Sequence, residues 1–150
     1  MKEAIKEAQK ALKYNEVPIG AVIVLDGKII ARGYNKREKS QNATSHAEII
    51  AIEKACKKLK SWRLDNAEIY VTLEPCPMCA GAIANARIKK LIFASKEKTS
   101  GDNLCEAILS SNRLNHKTEI YYDEHYNEKC SQLLTDFFKN KRISNWYPFL

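Results

Sequence analysis

Apolar segments of strand length alternate with segments of helical periodicity along the 150-residue chain, after an initial hairpin. The hairpin is predicted from an apolar strand over Val17 to Leu25, a tight turn at Asp26-Gly27 and a partner strand over Lys28 to Tyr34. Further strands are expected at 67–73, 88–94 and 118–122. Because helices alternating with strands favour a layered sheet, we predict an α/β fold in a single domain, 1–150.

The helices are predicted from apolar residues at helical spacing. The first opens the chain, with the stripe Ala4, Ile5, Ala8, Ala11 and Leu12. The second is expected to be capped by Thr44 and Ser45 and to face inward through Ile49, Ile52, Cys56 and Leu59. The third begins at Pro77, which suits the first helical position, and a short fourth is expected near 102–109. The inner stripe of the last comprises Tyr126, Cys130, Leu133, Leu134, Phe137 and Phe138.

Composition and charge exclude several classes of protein. With 45% hydrophobic and 29% charged residues, the chain is neither disordered nor collagen-like. The longest apolar run, Ile19 to Leu25, is far shorter than the ~20 residues that a bilayer requires, so we expect no membrane span. The opening MKEAIKEAQKAL lacks the apolar core of a signal peptide, so we expect a cytoplasmic protein. The net charge of +7 is compatible with a nucleic-acid partner.

A Cys-x-x-Cys pair, Cys76 and Cys79, lies at a predicted strand-to-helix turn, where helix N–H groups favour thiolates. His46, at the start of another predicted helix, would complete three ligands and leave one position of a tetrahedral zinc open, as in catalytic sites. Glu48 lies two residues after His46, so the two side chains can reach the same point only if that point lies just past the start of the helix. A carboxylate there that is not a ligand could carry protons.

Other interpretations of these residues remain open. Five cysteines are an odd number, and disulfides rarely persist in the cytosol, so the cysteines are expected to be metal ligands, reactive groups or core residues. A Cys-x-x-Cys pair alone also fits a redox centre. A structural zinc in a non-catalytic RNA-binding module would need a fourth ligand, for which the candidates are Cys56, Cys105, Cys130, His116 and His125.

Together, His46-Ala47-Glu48 and Pro75-Cys76-Pro77-Met78-Cys79 match the signature of the zinc-dependent nucleoside and nucleobase deaminases. Over nearly its whole length the chain resembles the tRNA-specific adenosine deaminases of bacteria, as in Glu16 to Val24, Asn35 to Glu38 and Tyr70 to Ile83. The resemblance implies a three-layer α/β/α, cytidine deaminase-like fold, with a mixed five-stranded sheet flanked by helices. It also implies one Zn²⁺ per subunit, held by His46, Cys76 and Cys79.

The resemblance further implies hydrolytic deamination of adenosine to inosine at the wobble position of a tRNA anticodon, by a homodimer. Glu48 would be the catalytic residue, and the substrate-binding residues would be Asn35, Ala47, Glu97, Phe138, Lys139 and Arg142. The alternative is a deaminase of a free nucleobase or nucleoside, of the guanine or cytosine type. The chain departs from the family pattern at Phe93 to Glu97, at Thr99 to Asn103 and in the loop Asn42-Ala43-Thr44; the first two alter the surface that would hold RNA.

Overall fold

The computed structural model describes residues 1–96 and 104–145, with side chains as far as residue 141. The strands are β1 (Gly20–Leu25), β2 (Lys28–Tyr34), β3 (Glu68–Leu73), β4 (Lys90–Ser95) and β5 (Glu119–Tyr122). They form one sheet in the order β2-β1-β3-β4-β5. Strand β1 is antiparallel to both β2 and β3, whereas β4 is parallel to β3 and β5. The prediction of a mixed five-stranded sheet is therefore confirmed.

Helices cover both faces of this sheet. They are α1 (Lys2–Leu12), α2 (Arg37–Ser40), α3 (Ala47–Leu59), α4 (Pro77–Asn85), α5 (Leu104–Leu109) and α6 (Asn127–Asn145), with a 3₁₀ turn at Glu124–Tyr126. On one face, α1 and α6 meet β4 in a cluster of Ile5, Ala94 and Cys130. On the other, α3, α4 and α5 share the main core. The predicted three layers are present. None of the helices in the described ranges is both long enough and apolar enough to cross a membrane.

The hairpin has the predicted turn, because both Asp26 and Gly27 have positive φ angles, 51° and 76°. The first strand, however, begins at Gly20 rather than at Val17. The Ile19 N–H donates to the Val17 carbonyl oxygen at 2.8 Å, and Pro18, between them, has no N–H. A tight turn therefore takes the place of the first predicted strand residues.

Two glycines let helices approach the sheet closely from opposite sides. A Cβ on Gly20 would overlap the Ala4 carbonyl oxygen of α1, and a Cβ on Gly33 would overlap the Ala47 carbonyl oxygen of α3. Gly33 pairs with Ala21, whereas Gly20 pairs with Tyr34, so the two positions face different layers. Close contact at Gly33 fixes the first turn of α3 against β2.

This close approach also explains why the predicted inner face of α3 is only partly right. Small residues, Ala47, Ala51 and Ala55, are fully buried at the centre of the contact. Ile52 and Cys56 pack against the core as partly buried side chains, and Leu59 is 37% exposed. Since Gly33 leaves little space between the backbones, larger side chains are displaced to the flanks.

Candidate metal centre and the groups around it

Two helix starts bring the three predicted ligands together. His46 occupies the N-cap position of α3 and Cys76 that of α4, while Cys79 lies in the first turn of α4. Nδ1 of His46 is 3.6 Å from Sγ of Cys76 and 3.6 Å from Sγ of Cys79. The three ligand atoms all lie within 4.8 Å of one another, a group that could hold a metal ion. Strand β3 delivers Cys76, and Pro77 begins α4 directly after it, as predicted.

The hydrogen bonds among His46, Cys76 and Cys79 shift the pKa values of all three groups. Hydrogen bonding from the Cys79 thiol and then from the His46 ring lowers the pKa of Cys76 to about 4. The same contact with Cys76 raises the pKa of Cys79 and, on the ring, the pKa of His46. A metal ion bound here would replace these shared protons as the positive partner of the sulfurs.

Glu48 lies beside this cluster in a buried position. Its side chain is 3% exposed, and burial raises the pKa of its carboxyl group. Among the described residues, its Oε1 is a fully buried polar atom without a hydrogen-bond partner. Because an unpaired buried carboxyl oxygen is costly, this atom is a candidate hydrogen-bonding partner for a bound water or substrate.

Asn35 connects the end of β2 to the start of α3. The Ala47 N–H donates to Asn35 Oδ1 at 2.9 Å in a buried hydrogen bond. This bond satisfies an unpaired amide at the helix start, so the prediction that Thr44 and Ser45 cap α3 is wrong. Asn35 thereby fixes the turn that carries His46 and Glu48, and its Nδ2 hydrogens are the donors it could offer to a ligand.

Two buried residues have surroundings that the sequence pattern did not predict. Glu16 is 2% exposed, and its Oε1 accepts a hydrogen bond from the Lys39 N–H at 2.8 Å, which ties the loop after β2 to the segment before β1. The signal was a charged residue directly before an apolar strand. Cys105 is buried, and burial first, then Glu74 and Glu48, raises its pKa to about 12. No local sequence pattern predicts that Cys105 lies near Glu74 and Glu48.

The remaining predicted residues lie elsewhere or outside the described part. Phe138 is 45% exposed on α6, with its ring edge-to-face against Phe137 at 5.4 Å, so it does not belong to the inner stripe. Lys139 is also exposed. Glu97 and the side chain of Arg142 lie outside the described residues.

The alternatives for the cysteines can be compared with the same geometry. All five cysteines are free thiols. In the described ranges, the cluster contains His46, Cys76 and Cys79 without a fourth His, Cys, Asp or Glu. The candidates for a fourth ligand, Cys56, Cys105, Cys130, His116 and His125, are not part of it. The geometry thus favours a centre with three protein ligands over a closed structural site.

Comparisons with known proteins identify related chains. The family model of the MafB19-like deaminases matches residues 1–142. A tRNA-specific adenosine deaminase of Bacillus subtilis is 47% identical over 143 residues, which cover 95% of this chain and 88% of the relative.

Two solved structures share the fold. One, from work on A-to-I editing by tRNA:A34 deaminases at the wobble position, is 39% identical, with a TM-score of 0.83, and the match covers 89% of this chain and 97% of that one. A guanine deaminase of Bacillus subtilis is 45% identical over 63% of this chain and 61% of its own, with a TM-score of 0.61. The predicted cytidine deaminase-like fold is confirmed. The chain belongs to the family of the tRNA-specific adenosine deaminases.

Proposed function

We propose that this protein hydrolyses the wobble adenosine of a tRNA anticodon to inosine and ammonia, with one Zn²⁺ per subunit as its cofactor. The observation that carries the proposal is the cluster of His46, Cys76 and Cys79 beside the buried Oε1 of Glu48, which has no hydrogen-bond partner within the part of the chain that the structure describes. The similarity to tRNA-specific adenosine deaminases over 95% of the chain supports the choice of substrate.

The residues present fit zinc. Two cysteine sulfurs and one imidazole nitrogen form a donor set that Zn²⁺ prefers, and three protein ligands leave a coordination position for water or substrate. When bound, zinc supplies a Lewis acid that makes a water molecule nucleophilic near neutral pH. His46, Cys76 and Cys79 would hold it at the joint start of α3 and α4.

Glu48 carries the protons of the reaction. Its carboxylate takes a proton from the attacking water and delivers it to N1 of adenine, which makes C6 electrophilic. The water oxygen bonds to C6, Glu48 passes the second proton to the amino nitrogen, and the C6–N6 bond breaks to release ammonia. Burial raises the pKa of Glu48, and a carboxyl with a raised pKa is suited to act as both base and acid.

Asn35 holds the purine through its Nδ2 hydrogens. Its Oδ1 is already occupied by the Ala47 N–H, and Ala47 itself is fully buried. We therefore assign Ala47 a positioning role: it acts on the base through Asn35. The exposed ring of Phe138 offers a stacking surface for unpaired bases, and Lys139, with Arg142, would meet phosphates, while Glu97 would contact the ribose. A loop presents such bases without the cost of opening a duplex.

We propose that the active form is a homodimer of single-domain subunits and that it acts in the cytoplasm. The family resemblance supports the dimer. Five free thiols fit a reducing compartment, where tRNA is also found. Sedimentation equilibrium of the purified protein tests the dimer.

The proposed activity is tested by incubating the zinc-loaded protein with total tRNA and sequencing for A-to-I changes. We expect conversion at the wobble adenosine. Glu48→Gln should lower the rate at least 100-fold while zinc analysis still finds one ion per chain. Glu53→Gln, the same substitution at an exposed position of α3, is the control and should keep the parent rate. Parent-like turnover by the Glu48 variant would refute the assigned role.

A free-base deaminase is the second candidate, because the guanine deaminase structure is 45% identical over its matched part. Ammonia release from guanine, cytosine and their nucleosides, measured beside release from an anticodon hairpin, separates the two. Faster release from a free base than from the hairpin would favour this candidate.

A further inference from the structure

Helix α3 connects the metal cluster to the opposite end of the sheet. His46 is its N-cap and Lys60 its C-cap, so its 13 residues separate the two ends by about 20 Å. Helices α3, α4 and α5 end at this far end, and the parallel strands β3, β4 and β5 begin there. The connecting loops 60–67, 86–89 and 110–118 therefore meet far from the proposed reaction.

Hydrogen bonds hold these three loops to one another. The Leu64 N–H donates to the Ala86 carbonyl oxygen at 2.7 Å, which joins the first loop to the second. Nε2 of His116 lies 2.7 Å from the Ile88 carbonyl oxygen, which joins the third loop to the second. Side chains carried by these loops are therefore held in fixed positions relative to one another.

The far end is strongly basic. In the last turn of α3 and the first two loops, Asp65 is the sole acidic residue, and it pairs with Arg63 at 3.0 Å. The cationic residues there are Lys57, Lys58, Lys60, Arg63, Arg87 and Lys89. All are exposed except the partly buried Arg87. Because the four lysines have no ion pair among the described residues, this end presents uncompensated positive charge, which attracts polyanions.

An exposed indole ring lies among these cations. Trp62 is 60% exposed, and the Cζ atoms of Arg63 and Arg87 lie 5.4 and 5.7 Å from its ring centroid, within the range of cation–π contact. Hydrogen bonding and charge from Arg63, and then the charges of His116 and Arg87, hold the pKa of Asp65 below its usual value. The ring and the carboxylate thus fix the two guanidinium groups, and fixed guanidinium groups suit the geometry of phosphates.

We propose that this distal surface, formed by Lys57, Lys58, Lys60, Trp62, Arg63 and Arg87, binds the backbone of the helical RNA stem that continues from the loop at the metal centre. The inference rests on the proposed function and adds to it a second contact on the same RNA, about 20 Å from the first. The lysines and arginines would meet phosphates, and the indole would pack against the sugars between them.

A helical stem is the partner that these charges favour. Proteins recognise RNA helices through phosphates, 2′-hydroxyls and overall shape, for which a surface of lysines and arginines is sufficient. The stem must also leave the site in some direction, and the outer side of α3 leads directly from His46 to Lys60. An acidic protein segment is the other polyanion that could bind here, and the experiment separates the two.

The test measures Kd of the zinc-loaded protein for RNAs that share one anticodon loop: hairpins with stems of increasing length, and full-length tRNA. Each phosphate contact adds about one unit to the slope of log Kd against log salt concentration. For the parent at about 0.1 M salt, we expect Kd to fall at least about tenfold from the shortest hairpin to full-length tRNA, with a steeper salt dependence. The value of kcat should be the same for both RNAs.

Lys57→Gln/Lys60→Gln should remove this gain. Its Kd and KM for full-length tRNA should rise about tenfold and its salt slope should fall by about two, whereas kcat and the Kd of the shortest hairpin should not change. Lys57→Arg/Lys60→Arg keeps both charges and should bind as the parent does. Trp62→Leu should raise Kd in the same direction by a smaller factor, and thermal melts check that each variant folds.

Lys2→Gln/Lys129→Gln is the matched control. It removes two exposed charges from α1 and α6, outside the distal surface, and should bind every RNA of the series as the parent does.

A parent Kd that is independent of stem length, or a gain that survives in Lys57→Gln/Lys60→Gln, would overturn the proposal. So would a loss of affinity for poly-L-glutamate without a loss for tRNA in that variant, because the surface would then fit an acidic protein. If the parent binds tRNA but forms no inosine, the proposed function fails, while the dependence of Kd on stem length still decides the distal surface.

Discussion

Gly33→Ala should loosen the contact that holds the first turn of α3, and with it the proposed zinc ligand His46. An added Cβ would overlap the Ala47 carbonyl oxygen and lie 2.9 Å from the Ala51 nitrogen, whereas ordinary contact begins at 3.4 Å. Both atoms belong to helix backbone, so α3 would have to shift as a unit. Overpacking of this kind costs about 1–3 kcal/mol.

For a chain of this size, each kcal/mol lowers Tm by roughly 2–4 °C, so we expect a loss of roughly 2–12 °C. Displacement of the helix start should also weaken zinc binding about tenfold, as changes to the groups that orient metal ligands do. Calorimetry of the zinc-loaded and metal-free protein measures the first effect, and competition with a chelator of known affinity measures the second.

Gly81→Ala is the matched control. A Cβ on Gly81, within α4, would meet no atom within 4 Å, so this change should raise stability by about 0.5–1 kcal/mol through the better helix propensity of alanine. A Gly33→Ala protein with the parent's Tm and zinc affinity would refute the argument that close packing on β2 positions the site.

Three further predictions concern single contacts and the metal. Asn35→Ala should lower the free energy of unfolding by about 1–2 kcal/mol, because it leaves the buried Ala47 N–H without its acceptor. Asn35→Asp keeps that acceptor, so it should keep the parent's Tm while raising KM. A difference in Tm between the wild type and Asn35→Asp would contradict this. Removal of zinc by a chelator should abolish conversion and lower Tm, and zinc but not Mg²⁺ should restore both. Lys6 and then Arg32 hold the pKa of Glu3 at about 2, below its usual 4.5, so the stability this carboxylate contributes is complete above pH 4.5 and is lost as the pH falls towards 2. NMR titration of Glu3 should show a higher midpoint in Lys6→Ala, and an unchanged midpoint would contradict the cause.

The positions of helices and strands follow from local rules because their signals are local. Alternating apolar patterns, the Asp26-Gly27 turn and Pro77 at a helix start each act within a few residues. The local pattern did not predict correctly which residues of α3 face the core. That inward face depends on how closely α3 approaches β2, and Gly33, which lies earlier in the chain, decides this distance. Judged by hydrophobicity alone, the larger Ile and Leu side chains of α3 were expected to face the core.

The site divides in the same way. The sequence by itself determined which donors are present and that His46, Cys76 and Cys79 stand at helix starts, because ligand chemistry and helix boundaries are written in residue type and short spacing. Only the tertiary structure decided that Asn35 fixes α3, that Glu48 Oε1 is buried without a hydrogen-bond partner among the described residues, and that α6 meets the end of β4 through Ser131 and Ser95. These depend on contacts between residues far apart in the chain, whose distances no local pattern contains.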